Sequence, residues 1–553
     1  MPPTHEVFNQ PPALTGYDVS DDPAMLSALG REGAAWAQES VRDLGRLAGS
    51  AQAQAQGLQA NENPPVLRTH DRFGHRIDEV EFHPAWHELM TVAVRHGLHA
   101  APWTDKRPGA HVARAAGFYV WGAVEAGHCC PVSMTYAIVP ALRHAPDLAR
   151  RFEPLLAARE YDAGLRSPDT KRGLLAGMSM TEKQGGSDVR ANTTRAVPVH
   201  GDGEADGGSY LLTGHKWFTS APMGDLFMVL AQAPAGLSCF LLPRVRPDGS
   251  RNGMQLQRLK DKLGNRSNAS AEVEYDQALA WLVGEEGRGV RTIIEMVNMT
   301  RLDCVLGTAT GMRTALTLAT HHAAHRTAFG RKLADQPLMA SVLADLAIES
   351  EATTMAAFRL AGATDRAAGG DEAEAAFLRL ALAATKYWVC KRAPGHAAEA
   401  LECLGGNGYV EESGMPRLYR EAPLASIWEG SGNVAALDAL RALTRQPESA
   451  EAFFAELELA AGADRRLDQA VGRLRKELSD PSEARARYLA EGMALALQGA
   501  LLVRHGAAAV ADAFVASRLA DGSGEFRGWG HAYGTLPSGT DTAAIIRRAT
   551  PAI

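Results

Sequence analysis

Between about Leu174 and Asp276 the hydrophobic pattern changes period, and that change limits the folds open to the chain. Short apolar runs bounded by Gly, Asn and Asp follow one another there: Leu174–Thr181, Tyr210–Thr213, Leu226–Gln232 and Leu237–Leu242. In Ala271-Glu272-Val273-Glu274-Tyr275-Asp276 the alternation is strict. It turns apolar side chains to one face and acidic ones to the other, as in a half-buried strand. Five or more such runs with no helical pattern between them predict an antiparallel sheet or barrel of about a hundred residues.

On either side the pattern is helical. From Trp86 to about Arg159, segments rich in Ala, Leu and Val are broken at Pro131, Pro140 and Pro154. After Gly289, the residues Val290, Ile293, Ile294 and Val297 recur at i, i+3, i+4 and i+7, one apolar stripe on a helix. Pro337 stands where a first helical turn begins, with Leu338, Val342 and Leu346 every four residues beyond it. A third long helix is predicted over roughly Glu372 to Leu404, and long helices joined by short loops make a bundle. The low-complexity stretch Ala51–Gln56 reads as a helix end or loop. Gln446-Pro447-Glu448-Ser449 marks a boundary, and Asp521-Gly522-Ser523-Gly524 reads as a flexible interruption of a last helical region.

The chain is therefore expected to be an α+β protein. Its segments are an N-terminal helical domain over 1–172, a central antiparallel β domain over 173–286, a helical bundle over 287–445 and an extra C-terminal helical domain over 446–553. A length of 553 residues is too great for one core.

Net charge is −7, with no polycation signature for nucleic acid. The six cysteines, Cys129, Cys130, Cys239, Cys304, Cys390 and Cys403, form no metal-spaced set, and Met1–Gln10 is polar and proline-interrupted. A reducing, cytoplasmic setting is expected. Met493–Val503 contains Gln498 and is too short to span a membrane. The pairs His321/His325 and His83/His87 lack a carboxylate at metal-site spacing and read as ordinary helix histidines. No metal is expected.

Three segments carry chemistry. Met178 to Asp188 ends a strand in Glu182-Lys183-Gln184-Gly185-Gly186-Ser187, where glycine lets backbone N–H groups approach a ligand. Thr181 and Ser187 each offer a donor and two acceptors, which suits the polar edge of a flat ring system. By itself the segment reads first as a strand-to-turn connection in which Asp188 caps something. Lys216-Trp217-Phe218-Thr219 follows on a neighbouring strand, and its Trp217 is alone readable as a core residue. Trp428-Glu429-Gly430-Ser431-Gly432-Asn433-Val434 sets one carboxylate in a glycine-rich turn behind a bulky ring. Taken alone, that Glu429 is also compatible with a solvent-exposed side chain, and Arg326 with a surface helix arginine.

With Arg326-Thr327-Ala328-Phe329-Gly330 and Leu404-Gly405-Gly406-Asn407-Gly408-Tyr409, these segments occur in the order found in the acyl-CoA dehydrogenase family, over roughly residues 80 to 445. The chain resembles that family, and more narrowly its AidB branch, flavoproteins tied to the bacterial response to DNA alkylation. The closer likeness rests on Val7-Phe8-Asn9-Gln10, Phe82–His87, Thr181–Thr194, Arg258–Ser270 and Ser426–Val434.

The resemblance implies the acyl-CoA dehydrogenase fold: N-terminal helices, a central β domain and a four-helix bundle. It also implies a homotetramer with FAD at subunit contacts. It assigns Met178, Met180, Thr181, Gly186 and Ser187 to the flavin, and Trp217 and Thr219 to its other side and N5 edge. Arg326 and Phe329 would hold the pyrophosphate and adenosine portion, Gly405 and Gly406 would reach it from a neighbouring subunit, and Ser431 and Asn433 would finish the adenosine side. Where many members carry Gln before Leu-Gly-Gly, this chain has Glu402.

Glu429 would abstract the α proton of an acyl thioester as hydride leaves the β carbon for the flavin, with an electron-transfer partner reoxidising it. Arg301 would lie near the base and tune it. Some members carry the base just before that arginine, where this chain has Thr300, which cannot serve. Trp428 should narrow the acyl pocket and favour short or branched acyl-CoA.

The resemblance further implies binding of double-stranded DNA through the C-terminal domain. Residues 441–553 hold 14 Lys plus Arg and 14 Asp plus Glu, net zero against −7 for the rest. Clustered on one face, the arginines Arg441, Arg445, Arg465, Arg466, Arg473, Arg475, Arg485, Arg487, Arg504, Arg518, Arg527, Arg547 and Arg548, with Lys476, would grip phosphates. Spread over helices, they would instead pair with Glu451, Glu456, Asp464 and Glu477. A protective, DNA-associated flavoprotein with vestigial dehydrogenase activity is the alternative to an enzyme.

Overall fold

The computed structural model describes residues 4–199, 208–520 and 532–551. The interruption expected at Asp521–Gly524, and Arg527, lie outside the described residues. The chain forms two compact units, each drawn from separated segments: residues 1–51, 108–123 and 304–553 in one, and 52–107 and 124–303 in the other. Local pattern gives the type of each element, whereas this partition follows from packing between residues far apart in sequence.

The second unit is built on a sheet. A hairpin of β1 (Val66–His70) and β2 (Arg76–Glu81), which the sequence pattern did not reveal, precedes it. The main sheet comprises β3 (Ala176–Thr181), β4 (Arg195–Pro198), β5 (Ser209–Ser220), β6 (Leu226–Ala233), β7 (Gly236–Pro243), β8 (Met254–Leu259) and β9 (Ser270–Val283). Five of these, β3, β5, β6, β7 and β9, fall on the apolar runs of the sequence, whereas β4 and β8 were not among those runs. The pairing is mainly antiparallel, with one departure from expectation: β6 runs parallel to β3 and β4. Tyr210, Leu212, Phe227, Val229, Phe240, Leu242, Leu256, Val273 and Tyr275 fill the core. The alternation of β9 does what period two requires, with Val273 and Tyr275 inside and Glu274 and Asp276 outside.

The β1–β2 hairpin is tied to this sheet through Asp78. Its buried carboxylate meets Arg76 and Arg251 at 2.9 and 2.7 Å, and the carbonyl of Asp78 accepts from Arg244 at 3.0 Å. Helices Ala51–Glu62, Pro84–Arg95, Cys129–Leu142 and Pro146–Leu156 complete the unit. The Ala51–Gln56 stretch opens a full helix, because its alanines and glutamines are strong helix formers and Ala53, Gly57 and Ala60 bury one face.

The first unit is helical. Gly289–His325 runs 37 residues, its part from Cys304 belonging here, and is followed by Pro337–Ala368 and Glu372–Glu402. Pro337 is at the start of its helix, where its missing N–H costs nothing. Gly432–Arg445 ends the bundle and Pro447–Glu458 begins one residue later.

The helices after Gln446 pack within the same unit. Glu456 accepts both Arg359 and Arg504 at 2.8 and 2.7 Å, and the rings of Phe377 and Phe453 stack 6.4 Å apart. Arg518, fully enclosed, pairs with the buried Asp345 and Glu349. Among the described residues no helix is long and apolar enough to cross a membrane.

Candidate functional site

In the sheet unit the site begins with two irregularities at the same level. The register of β3 against β5 shifts between Ser179 and Thr181, and that of β5 against β9 shifts between Lys216 and Thr219. Bulges of this kind re-aim side chains. Here Thr181 pairs with Phe218, leaving Met180, Thr181 and Trp217 half-buried and Phe218 exposed, while Met178 stays in the core. Thr219 turns inward. Its hydroxyl bonds Ser179, which also receives the Tyr275 hydroxyl at 2.9 Å, so it is Trp217 and Phe218 that the strand presents outward.

The loop after β3 is fixed by a buried acid that the sequence reading left without a role. Glu182 accepts from the backbone N–H groups of Thr193 and Thr194 at 2.7 and 3.0 Å, from the Thr193 hydroxyl, and from Lys216 Nζ at 2.9 Å. Burial alone would raise its pKa. The Lys216 charge and these donors outweigh burial and hold the carboxyl well below the usual range. Lys216 is itself drawn down to about 8, because burial exceeds the pull of Glu182. A β-carbon added to Gly186 would lie 2.4 Å from Thr181 Oγ1, so the backbone of this loop passes close over the Thr181 hydroxyl. Ser187 is exposed on the same loop. Around Trp217 stand Lys260, its Nζ 3.4 Å from the ring centroid, and more distantly Lys183 and Arg258; Glu272 pairs with both Arg258 and Lys260. Thr300 Oγ1 bonds the Val297 carbonyl at 3.0 Å, and Arg301 is buried beside it in sequence.

In the helical unit, Glu429 has φ of 56°, a left-handed conformation that costs a residue with a β-carbon about 1–2 kcal/mol. A lysine holds it there. Lys386, only 1% exposed on the helix Glu372–Glu402, donates to the carbonyl oxygens of Trp428, at 2.9 Å, and Gly430, the two residues flanking Glu429. A lone cation among Ala, Thr, Tyr, Trp, Val and Cys was the available sequence signal, since a buried charge must have partners. The Trp428 indole N–H is buried and has no hydrogen-bond acceptor among the described residues. Ser431 precedes the first turn of Gly432–Arg445, and Asn433 Oδ1 accepts from Arg487 Nε at 2.7 Å.

Further along this unit, Arg326 donates to the Asn9 carbonyl at 2.7 Å, while the Asn9 side chain bonds both the N–H and the carbonyl of Thr327. Phe329, in the turn that follows, is 98% exposed at φ of 52°. Gly405 and Gly406 are exposed, and a β-carbon on either would meet nothing within 4 Å. Glu402 is exposed at the last residue of its helix. His321 is a helix histidine bonded to the Pro12 carbonyl at 2.8 Å, and His87 meets the Tyr161 hydroxyl at 2.8 Å.

Three family models match the chain: the AidB N-terminal domain over residues 9–163, the acyl-CoA dehydrogenase middle domain over 177–278 and the acyl-CoA dehydrogenase C-terminal domain over 287–444. The chain is 47% identical over 517 residues to the AidB protein of Escherichia coli (strain K12), covering 92% of this chain and 94% of that one. Among solved structures, the apo form of Bd2924 matches with a TM-score of 0.81 at 30% identity, covering 91% of this chain and all of the other. Caenorhabditis elegans ACDH-11 in complex with C11-CoA matches with a TM-score of 0.81 at 27% identity, covering 99% and 93%.

Proposed function

The chain belongs to the acyl-CoA dehydrogenase family, in its AidB-type branch, and from that premise we propose that it is an FAD-dependent dehydrogenase of short or branched acyl-CoA thioesters with Glu429 as its base. The observation that carries this reading is the turn at Glu429: a strained backbone, anchored on both sides by a buried lysine, that presents one carboxylate. An exposed surface glutamate needs no such support.

The residues present fit FAD. The coincident bulges turn Thr181 and Trp217 outward, a polar edge and an aromatic face of the kind an isoalloxazine ring takes. In the helical unit Arg326 brings a guanidinium fork suited to a pyrophosphate, and the exposed Phe329 an aromatic face for adenosine. Gly405 and Gly406 leave the space a side chain would fill. When bound, FAD supplies the acceptor for the substrate hydride. The chain's own residues do the rest. Glu429 takes the α proton, Lys386 keeps the Glu429 backbone in place, and the Trp428 ring narrows the space for an acyl chain. The Trp428 indole N–H is a donor available to a polar group of the substrate.

The test is anaerobic titration of the purified flavoprotein with isovaleryl-CoA, beside Glu429→Gln. Rapid bleaching of the flavin in the parent and none in the variant, with FAD content equal, is the expected result. Bleaching that persists in Glu429→Gln removes the assignment of the base. A straight-chain C11-CoA that turns over faster than isovaleryl-CoA removes the proposed substrate preference.

A second reading, binding of duplex DNA in an alkylation response, rests on the exposed basic residues Arg445, Arg465, Arg475, Lys476 and Arg547. It ranks below the first because most of the C-terminal arginines are engaged by groups of this chain. Duplex retention that falls steeply with salt and weakens in Arg465→Gln/Arg547→Gln supports it, and absent or salt-insensitive retention rejects it.

A further inference from the structure

Away from the residues assigned to flavin and base, the sheet unit carries a second group of reactive side chains at the entry to the helix Cys129–Leu142. The Glu125 carboxylate is buried and accepts the backbone N–H groups of Gly127 at 2.8 Å and His128 at 3.0 Å. Its Oε2 also stands 3.4 Å from His128 Nδ1. The imidazole is fully buried, and its other nitrogen, Nε2, lies 3.9 Å from Cys129 Sγ. Of the six cysteines, Cys129 alone is not buried.

Closing the turn before the helix explains the carboxylate and its two backbone bonds. It does not explain why an imidazole is enclosed between that carboxylate and the one solvent-accessible thiol. Nor does it explain the neighbouring loop. A β-carbon on Gly127 would fall 1.9 Å from Ser267 Oγ and 3.0 Å from Asn268 N, so this loop lies directly against the turn. Ser267 Oγ and Asn268 Oδ1 are buried and have no hydrogen-bond partner among the described residues, an arrangement proteins avoid unless a ligand or water bonds them.

The chemistry of the group follows from its order. Glu125 orients the ring through Nδ1–H, which leaves Nε2 facing the sulfur to take the thiol proton and give an imidazolium–thiolate pair. Burial opposes protonation of His128, but the facing Cys129 sulfur and the Glu125 carboxylate outweigh it and lift the imidazole to about 10, so the ring retains a proton it takes. Cys129 is the first residue of a 14-residue helix.

We infer that Cys129, with His128 as its base and Glu125 orienting His128, is a nucleophilic thiol that takes small neutral carbon electrophiles, Ser267 and Asn268 bonding the polar end of the incoming molecule. The step balances without an oxidant: sulfur forms a bond to carbon, the carbon–leaving-group bond breaks, the leaving group departs as an anion, and the thiol proton passes to His128 Nε2.

Iodoacetamide applied to the intact flavoprotein at pH 7 tests this, with adducts counted by intact mass and mapped by peptide. One adduct is expected, on Cys129, formed at least tenfold faster than on glutathione in the same buffer and absent from Cys129→Ser. Glu125→Gln should slow it at least tenfold. If that variant does not fold, the parent measured against glutathione decides alone. Labelling no faster than glutathione, or first at another cysteine, overturns the inference. The readout needs no acyl-CoA turnover, so it stands apart from the dehydrogenase reading.

Discussion

Replacing Lys386 with methionine separates the turn from the base proposed for it. The ammonium makes two charge-assisted bonds to main-chain carbonyls. Such bonds contribute about 1.5–3 kcal/mol each. Desolvating a buried ammonium takes back part of that, leaving about 2–4 kcal/mol net on the turn. Against it stands the left-handed backbone of Glu429, about 1–2 kcal/mol. With lysine the tether exceeds the strain and Glu429 is held. With methionine the strain is unopposed, two carbonyls lose their donor, and the turn relaxes toward φ below zero. A displacement of the base by about 1 Å costs on the order of 100-fold in rate. Stopped-flow bleaching by isovaleryl-CoA should therefore slow about 100-fold in Lys386→Met, with FAD content unchanged and KM moved far less than the rate. Lys386→Arg, which keeps a donor, should recover part of it. Lys386→Met bleaching within threefold of the parent, in a protein that holds its flavin, refutes the reasoning.

Further outcomes follow from buried titratable groups. Glu182→Gln strands the Lys216 ammonium in the interior, and chemical denaturation should show a loss of about 3–5 kcal/mol together with weakened flavin retention. Glu182 has its pKa depressed on folding, so its contribution is complete above the unfolded value near 4.5 and is lost as pH falls through the lower folded value, which a denaturation series from pH 6 to 3 should register. His396, fully buried, has its pKa drawn down to about 4 chiefly by burial. A His lowered in this way favours the fold while neutral, so stability should decline from about pH 6.5 toward 4, and His396→Gln should flatten that slope. Arg518→Ala leaves Asp345 and Glu349 without the guanidinium between them, and should cost about 3–5 kcal/mol by denaturation.

Five strands of the main sheet were legible because their signal is local. Val273 and Tyr275 against Glu274 and Asp276 announce their faces by alternation alone, and Gly289, Pro337 and Glu372 announce helix starts. The hairpin Val66–His70 with Arg76–Glu81 was not legible, since its residues are mixed in character and its apolar side chains Leu67 and Val80 are too few to set a pattern. The parallel neighbours of β6 escaped for another reason: pairing direction depends on the path of the chain between strands, which periodicity does not encode.

The same distinction governs the site. Motifs singled out Thr181, Trp217 and Glu429, but what fixes their surroundings came from partners distant in sequence. Lys386 is more than forty positions from the turn it holds, and Glu182 meets Lys216 across two strands. Thr219 belonged to a motif, yet its hydroxyl is engaged by Ser179, which Tyr275 also bonds, because a bulge changes which of its neighbours face outward.

The C-terminal arginines show why composition could not decide between phosphate binding and helix stabilisation. A net charge of zero over residues 441–553 fits either, since the two differ only in where each guanidinium ends. Arg504 ends on Glu456, Arg548 on Glu351, Arg485 on Glu477, Arg475 on Glu458, and Arg518 lies wholly inside on Asp345 and Glu349. Arg473 donates to the Leu519 carbonyl. An arginine such as Arg518, enclosed with two carboxylates, has no access to phosphate, whereas exposed pairs such as Arg475 with Glu458 are worth at most about 1 kcal/mol and can exchange partners. Any DNA contact must therefore come from the exposed set. The salt dependence of retention then counts it: removing one phosphate-contacting arginine lowers the slope of log affinity against log salt by about 0.9. A slope unchanged in Arg465→Gln/Arg547→Gln would place these residues outside any contact, and Arg518→Ala should change stability while leaving the slope of the folded protein as it was.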